Sequence, residues 1–259
     1  MNILENNTLI KAALNAVLAS AKMAEAASGS LIMSHKGNLR DIVTQTDIDI
    51  SDLLMNKLGA TGLPVISEEG HDPAIETPEV FWVIDPIDGT VNFSHGLVQY
   101  AISAGLVDHS EFKLGVVCAP ALDELYFTLN RERALINGRP FTHVHGAKED
   151  SLIAVSFSAH ALPSHYDLFQ QVNDSTRGCL RTGSAALNIC WAAVGKLQVA
   201  YGFQAKLWDV AGALAIARAA GCEIMLRGKP NALTLDYCVG SQDAVRHVKS
   251  LAKSNGLWD

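Results

Sequence analysis

The sequence predicts a layered α/β fold in which sheets and helices stack as alternating layers. Three observations carry this. The N-terminal half holds short apolar runs of strand composition separated by turn residues, the pattern of an antiparallel meander. From residue 151 onward, strand-like and helix-like segments alternate, which implies stacked sheet and helix layers. Of the 259 residues, 49% are hydrophobic and only 18% are charged, so core material is not limiting and the composition argues against disorder.

In chain order, Leu9, Ile10, Ala13, Leu14, Val17, Leu18 and Ala21 recur at helical spacing, so residues 7–27 read as an amphipathic helix stopped near Gly29. A polar, irregular stretch, Ser34–Arg40, follows, and a second helix is expected from Thr46 to Leu58. Leu63–Ser67 and Phe81–Asp85 read as short buried strands, and Tyr100–Val107, Leu114–Cys118 and Glu124–Leu129 as the meander. Asn137-Gly138 signals a tight turn. The polar run His143–Asp150 is the best boundary, giving halves at 1–145 (α+β, with most acidic motifs) and 146–259 (α/β) within one compact unit. Beyond it, strands are expected at Ser151–Phe157, Val199–Phe203, Cys222–Leu226 and Tyr237–Gly240. Helices are expected at Tyr166–Val172, Ser184–Val194, Trp208–Ala220 and Gln242–Ala252.

Composition also excludes classes of partner. Net charge is −7 with no long Lys/Arg block, so nucleic acid is not an expected partner. A small anionic substrate remains compatible, because clustered carboxylates recruit divalent cations that invert the local field. Five cysteines without a C-x-x-C pair argue against a disulfide scaffold or a zinc site and for buried thiols. No basic leader and no run approaching ~20 apolar residues is present, so a cytoplasmic protein without a membrane partner is expected.

The strongest chemical signal is Trp82-Val-Ile-Asp-Pro-Ile-Asp-Gly-Thr-Val-Asn-Phe93. An apolar strand runs straight into Asp85 and Asp88, and two carboxylates at a strand's end can converge on one locus. Pro86 stiffens the turn, and Gly89 lets backbone approach a ligand. The amides that follow can open a helix-like turn suited to phosphate. A lone D-x-x-D equally serves turn formation. Three further acidic elements accompany it: Val65-Ile-Ser-Glu-Glu-Gly70, whose adjacent acids are costly together without a cation; Trp208-Asp209 at an expected helix start; and Asp41-Ile-Val-Thr-Gln-Thr-Asp47. Taken singly, Glu68-Glu69 reads equally as a solvated loop, and Asp209 and Asp47 as first-turn or capping acids. Rival motifs fail: no Walker A loop accompanies Asp85, the spacing is not an EF-hand, and polar residues precede the Asp47-x-Asp49 pair where a nucleophile strand would be needed.

Together these elements resemble the inositol monophosphatase family. The resemblance spans nearly the whole chain, through Asp41–Asp47, Glu68-Glu69, Asp85–Phe93, Gly183–Asn188 and Trp208–Gly221 in family order. It implies an αβαβα sandwich like that of the inositol monophosphatases and fructose bisphosphatases. It also implies a homodimer and lithium-sensitive, Mg²⁺-dependent hydrolysis of phosphate monoesters, with two or three ions and Mn²⁺ as a substitute. By that resemblance Glu68, Asp85 and the Ile87 carbonyl hold one ion, and Asp85, Asp88 and Asp209 a second. Thr90 and Asp47 position and deprotonate the attacking water, with Glu68 assisting. Gly89 and Thr90 amides contact the phosphate. Gly183, Ser184 and Ala185, with Asp88, contact substrate hydroxyls. Glu69 lies behind the ligands, and Lys36 sits in a loop near the metals.

The resemblance has departures. Family members that cleave inositol phosphates carry a glutamate seven residues before the last aspartate ligand, where this chain has Gly202, with Gln204 and Lys206 as candidate compensations. The stretch Leu129–Asn137 is short for the family. Val91 follows Thr90 where bisphosphate nucleotidases carry lysine. The expected substrate is therefore a small phosphorylated metabolite: an inositol-phosphate-like ester, histidinol phosphate, or a sugar or nucleoside monophosphate. The alternatives are a bisphosphate substrate, with Arg181, Lys206 and Arg227 as candidate cations, and a non-catalytic ligand-binding protein on the same fold.

Overall fold

The computed structural model describes residues 3–27, 33–38, 41–70, 77–144, 146, 150–157, 161–228 and 233–258, the side chains of 3–6, 33–38 and 41 excepted. Helix α1 (Ile3–Ala27) is followed by a two-stranded antiparallel hairpin, β1 (Met33–Asn38) with β2 (Asp41–Thr44), and by α2 (Gln45–Gly59). A seven-stranded sheet then runs in spatial order through β3 (Val65–Ser67), β4 (Val80–Asp88), β5 (Ala101–Asp108), β6 (Glu111–Ala119), β7 (Glu124–Asn130), β8 (Arg133–Ile136) and β9 (Arg139–Phe141). The short helix α3 (Thr90–Ser94) interrupts it after β4. Strand β3 joins β4 in parallel, and every later pairing is antiparallel, as the meander pattern requires.

The second sheet has five strands in the order β11 (Gly178–Leu180), β10 (Leu152–Phe157), β12 (Val199–Lys206), β14 (Thr234–Gly240) and β13 (Glu223–Arg227). Its helices are α4 (Pro163–Ser175), α5 (Ala185–Ala193), α6 (Leu207–Ala219) and α7 (Gln242–Ser254).

Period-two burial assigns each face. Trp82 and Ile84 of β4 pack with Ala13 and Val17 of α1 and with Ile50 and Leu54 of α2. Phe81 and Val83 point the other way, into the cluster built on α5 and α6. In the second sheet, Ala154 and Ala200 face that same cluster, while Val155, Val199 and Tyr201 pack outward on Leu168 of α4 and Val245 and Val248 of α7. The layers are therefore α1/α2, the seven-stranded sheet, α5/α6, the five-stranded sheet and α4/α7: the αβαβα arrangement.

The middle layer is apolar all round, as a helix between two sheets must be. Its close approach depends on glycine. A Cβ on Gly115 of β6 would lie 1.9 Å from the Gly212 carbonyl oxygen of α6, and one on Gly105 of β5 would lie 2.7 Å from the Gly212 amide nitrogen. Gly115→Ala must therefore push α6 off the sheet. We expect it to cost about 3 kcal/mol, or roughly 6–12 °C in Tm, by thermal melting; a variant melting within about 2 °C of wild type would show that α6 is not seated this tightly.

Most expected elements are present, with shifted ends. Ser34–Asn38, expected to be irregular, lies in β1; Arg40 lies outside the described residues. Its polar residues show no apolar alternation, so the strand period was not readable. Asn137 and Gly138, with φ of 49° and 77°, form the predicted tight turn between β8 and β9. The three-residue β11 gives no periodic signal at all. Four cysteines are buried and Cys222 is half-buried, none in a disulfide. No helix among the described residues is long and apolar enough to cross a membrane.

Candidate active site

The site forms where β4 ends. Along the β4–β5 ladder Asp85 pairs with Ser103 and Asp88 with Ala101, so three steps on β4 oppose two on β5. This is a bulge with one extra residue, and it falls at Pro86-Ile87, where proline has no amide to lose from the ladder. In a regular strand, residues three apart face opposite sides. The bulge returns both carboxylates to the α5/α6 face, the side that Ala101 also faces. The parallel β3–β4 register ends with Ser67 opposite Ile84, and the Glu68 amide donates to the Ile84 carbonyl at 3.2 Å, which sets Glu68 beside Asp85. Asp209, in the first turn of α6, comes from the far side, its carboxylate accepting from the Lys206 backbone amide. Carboxylate oxygens of Glu68, Asp85 and Asp209 thus lie within 4.8 Å of one another.

Burial first, then the charges of Glu68, Asp88 and Asp209, push the Asp85 carboxyl well above its ordinary range. Asp209 is raised by burial and by Asp88 and Glu68. Asp88 is pushed up to about 6 by burial, against the pull of the Ser184 hydroxyl and the Ala186 and Ala185 amides. Asp85 Oδ1 is buried without a hydrogen-bond partner. Clustered hard oxygens, mutual repulsion and an orphaned carboxylate oxygen fit a divalent cation, which would relieve all three penalties. The carbonyl of buried Ile87 lies 3.0 Å from Thr90 Oγ1, as an alternative acceptor to Asp47 for its one hydrogen, and keeps lone-pair capacity.

Beside this cluster, Asp47 Oδ1 accepts the Thr90 hydroxyl at 3.0 Å. Its Oδ2 accepts from the Thr44 amide and hydroxyl, while Thr44 Oγ1 accepts from the Asp47 amide, a capping box opening α2. Oδ2 thus serves the helix cap, while Oδ1 is left to the Thr90 hydroxyl. Burial raises its carboxyl, and the Thr44 and Thr90 bonds lower it. Gly89, at φ 100°, N-caps α3 and turns the chain so that Thr90 meets Asp47.

The remaining candidates divide. Gly183 packs on Asn92, and Ser184, Ala185 and Ala186 donate to Asp88. Glu69 is half-buried near Asp47, and its amide donates to Ser67 Oγ at 3.3 Å. Gln204 is exposed at a bulge with φ 51°, and its amide donates to Asp236. Lys206 caps α6, with its ammonium 5.8 Å from the Trp208 ring centroid. The Lys36 side chain lies outside the described residues. Arg181 stands over the Phe157 ring, and Arg227 of edge strand β13 donates to the Leu257 carbonyl. At Gly202 a Cβ would meet Tyr237 Cε1 at 2.7 Å, so the Tyr237 ring occupies the space any side chain there would need.

Two residues were missed as site-builders. Thr44 was legible as the start of a Thr-x-x-Asp cap. Asn92, which donates to the carbonyls of Gln99 (2.6 Å) and Thr182 (2.8 Å), links the turn after β4 to the segment before α5, and no local signal announces a partner 90 residues away.

Comparison with known proteins agrees with this architecture. The sequence profile of the inositol monophosphatase family matches residues 5–255. A Thermotoga maritima protein described as fructose-1,6-bisphosphatase/inositol-1-monophosphatase is 30% identical, over 74% of this chain and 78% of its own length. The crystal structure of the extragenic suppressor protein suhB of Bartonella henselae superimposes with a TM-score of 0.83 at 24% identity, covering 95% of this chain and 98% of that one. A staphylococcal inositol monophosphatase-1, in an inhibitory complex soaked in lithium chloride, gives 0.85 at 19% identity over 99% and 97%.

Proposed function

The chain belongs to the inositol monophosphatase family of phosphoric monoester hydrolases, and on that ground we propose that it hydrolyses a small phosphate monoester with the help of bound Mg²⁺. The carrying observation is the meeting of Glu68, Asp85 and Asp209 oxygens within 4.8 Å. In this reading Glu68, Asp85 and the Ile87 carbonyl hold one ion. Asp85, Asp88 and Asp209 would hold the other. Mg²⁺ bound there supplies Lewis-acid stabilisation of charge on the phosphoryl and leaving oxygens and acidifies water.

The protein's own residues do the rest. Thr90, its hydroxyl donated to Asp47 Oδ1, orients the attacking water through its free lone pair and relays the water's proton to Asp47. Gly89 and Thr90 amides orient the phosphate. Burial of Asp85 and Asp88 keeps bulk water from the far side of the acidic cluster. Gly202 supplies no carboxylate, and the Tyr237 ring, near enough to Asp88 and Asp209 to feel their charges, fills the space a side chain there would take, which favours an ester other than inositol 1-phosphate.

The test is phosphate release from a panel spanning inositol phosphates, histidinol phosphate, sugar phosphates including fructose 1,6-bisphosphate, nucleoside monophosphates and 4-nitrophenyl phosphate. We expect release in Mg²⁺ that falls by at least about 100-fold in EDTA. A metal-replete protein inert on every ester would end this reading.

A further inference from the structure

The first turn of α5 is spent on one carboxylate. The Ser184 hydroxyl donates to Asp88 Oδ2 at 2.5 Å, the Ala186 amide to the same oxygen at 2.7 Å and the Ala185 amide to Oδ1 at 3.2 Å. Ser184 Oγ in turn accepts from the Leu187 amide at 3.2 Å, which fixes the oxygen and leaves its hydrogen for Asp88. A carboxylate offers about four lone-pair directions. Two are filled on Oδ2 and one on Oδ1, so the single free direction belongs to Oδ1. The cradle cannot swing: Ala185, Ala186, Leu187 and Ile189 are buried between the sheets. These contacts link residues 96–98 positions apart, so they bind the end of β4 to the helix layer between the two sheets.

We propose that Ser184 is a positioning residue for the second cation: its hydroxyl holds Asp88 so that Oδ1 is presented to the ion shared with Asp85 and Asp209, and thereby sets the affinity of that site. The inference rests on the reading of Asp88 as a ligand. It assigns Ser184 to the metal side of the site, in addition to any contact with substrate hydroxyls. A merely structural Ser184 would cap α5 and do no more, since the Leu187 bond is an ordinary N-cap.

The two roles separate in a calorimetric Mn²⁺ titration of the EDTA-stripped full chain. Asp88→Asn identifies which of the two binding steps involves Asp88. Ser184→Ala should weaken that step by about 10–100-fold and leave the other within about twofold. Ser184→Thr, which keeps the hydroxyl, should bind within about threefold of wild type. Ser184→Gly, a tolerable cap without a hydroxyl, should behave as Ser184→Ala, and it keeps the test alive if the alanine variant folds poorly. Wild-type affinity in both hydroxyl-free variants, even with a lower Tm, would reduce Ser184 to a helix cap and overturn the proposal. So would equal weakening of both steps, or a threonine variant as weak as alanine. A wild type that binds no Mn²⁺ would instead overturn the metal reading, and this inference with it.

Discussion

Asp85→Asn is expected to abolish Mg²⁺-dependent phosphate release, by about 10⁴-fold or more, without lowering the Tm measured in EDTA. The loss follows from the proposed sharing of Asp85 between two ions: several kcal/mol of charge stabilisation corresponds to several decades of rate at 1.36 kcal/mol each. The unaffected fold follows from electrostatics. Burial and four neighbouring acids, Glu68, Asp88, Asp209 and Asp47, raise the Asp85 carboxyl well above its ordinary 3.8, which favours the neutral form that asparagine imitates. A carboxyl whose folded value is raised costs stability as pH rises from 3.8 toward that value, because the folded state then holds the extra proton. In EDTA the variant should therefore match wild type near pH 4 and melt at the same or a higher temperature above it. Saturating Mg²⁺ should raise the wild-type Tm, by about 2.7 kcal/mol of stability at 100 times Kd, and leave the variant's unchanged. An Asp85→Asn enzyme with more than about a tenth of wild-type kcat would contradict the shared-ligand role.

Asp47→Asn should lower kcat by about 10²–10⁴-fold, with KM and Mn²⁺ affinity close to wild type. Asp47 Oδ1 is the acceptor 3.0 Å from the Thr90 hydroxyl, and its charge is felt by Asp85. Thr90→Val should show the same kcat loss, and Thr90→Ser should retain most activity. Because Asp47 Oδ2 also completes the capping box with Thr44, some destabilisation is expected. A cap is worth about 1 kcal/mol, too little to explain a loss of two decades or more in a protein that remains folded at the assay temperature. If Asp47→Asn instead melts a few degrees lower but keeps its kcat, Asp47 is a helix cap alone.

Much of this site was legible because its parts sit in short strings at element ends. Asp85 and Asp88 follow an apolar strand, Glu68 follows another, and Asp209 opens a small-residue helix. What made them converge was less visible. The bulge at Pro86-Ile87 that turns Asp88 to the side of Asp85 depends on the partner strand β5, and the seating of α6 depends on Gly105 and Gly115 of β5 and β6. Contacts spanning long sequence separations left no local trace: Asp88 with the first turn of α5, Asn92 with Thr182, and Tyr237 against Gly202. The hairpin β1–β2 and the short strands β8, β9 and β11 escaped because three to six residues with mixed polarity carry too little periodicity to distinguish a strand from a loop.

The most direct measurement is an anomalous difference map from crystals soaked in Mn²⁺. Two peaks about 3.5–4 Å apart are predicted, both within coordination distance of Asp85, one shared with Glu68 and the other with Asp88 and Asp209. A map with no peak there, or with manganese bound only away from Asp85, would contradict the dinuclear centre.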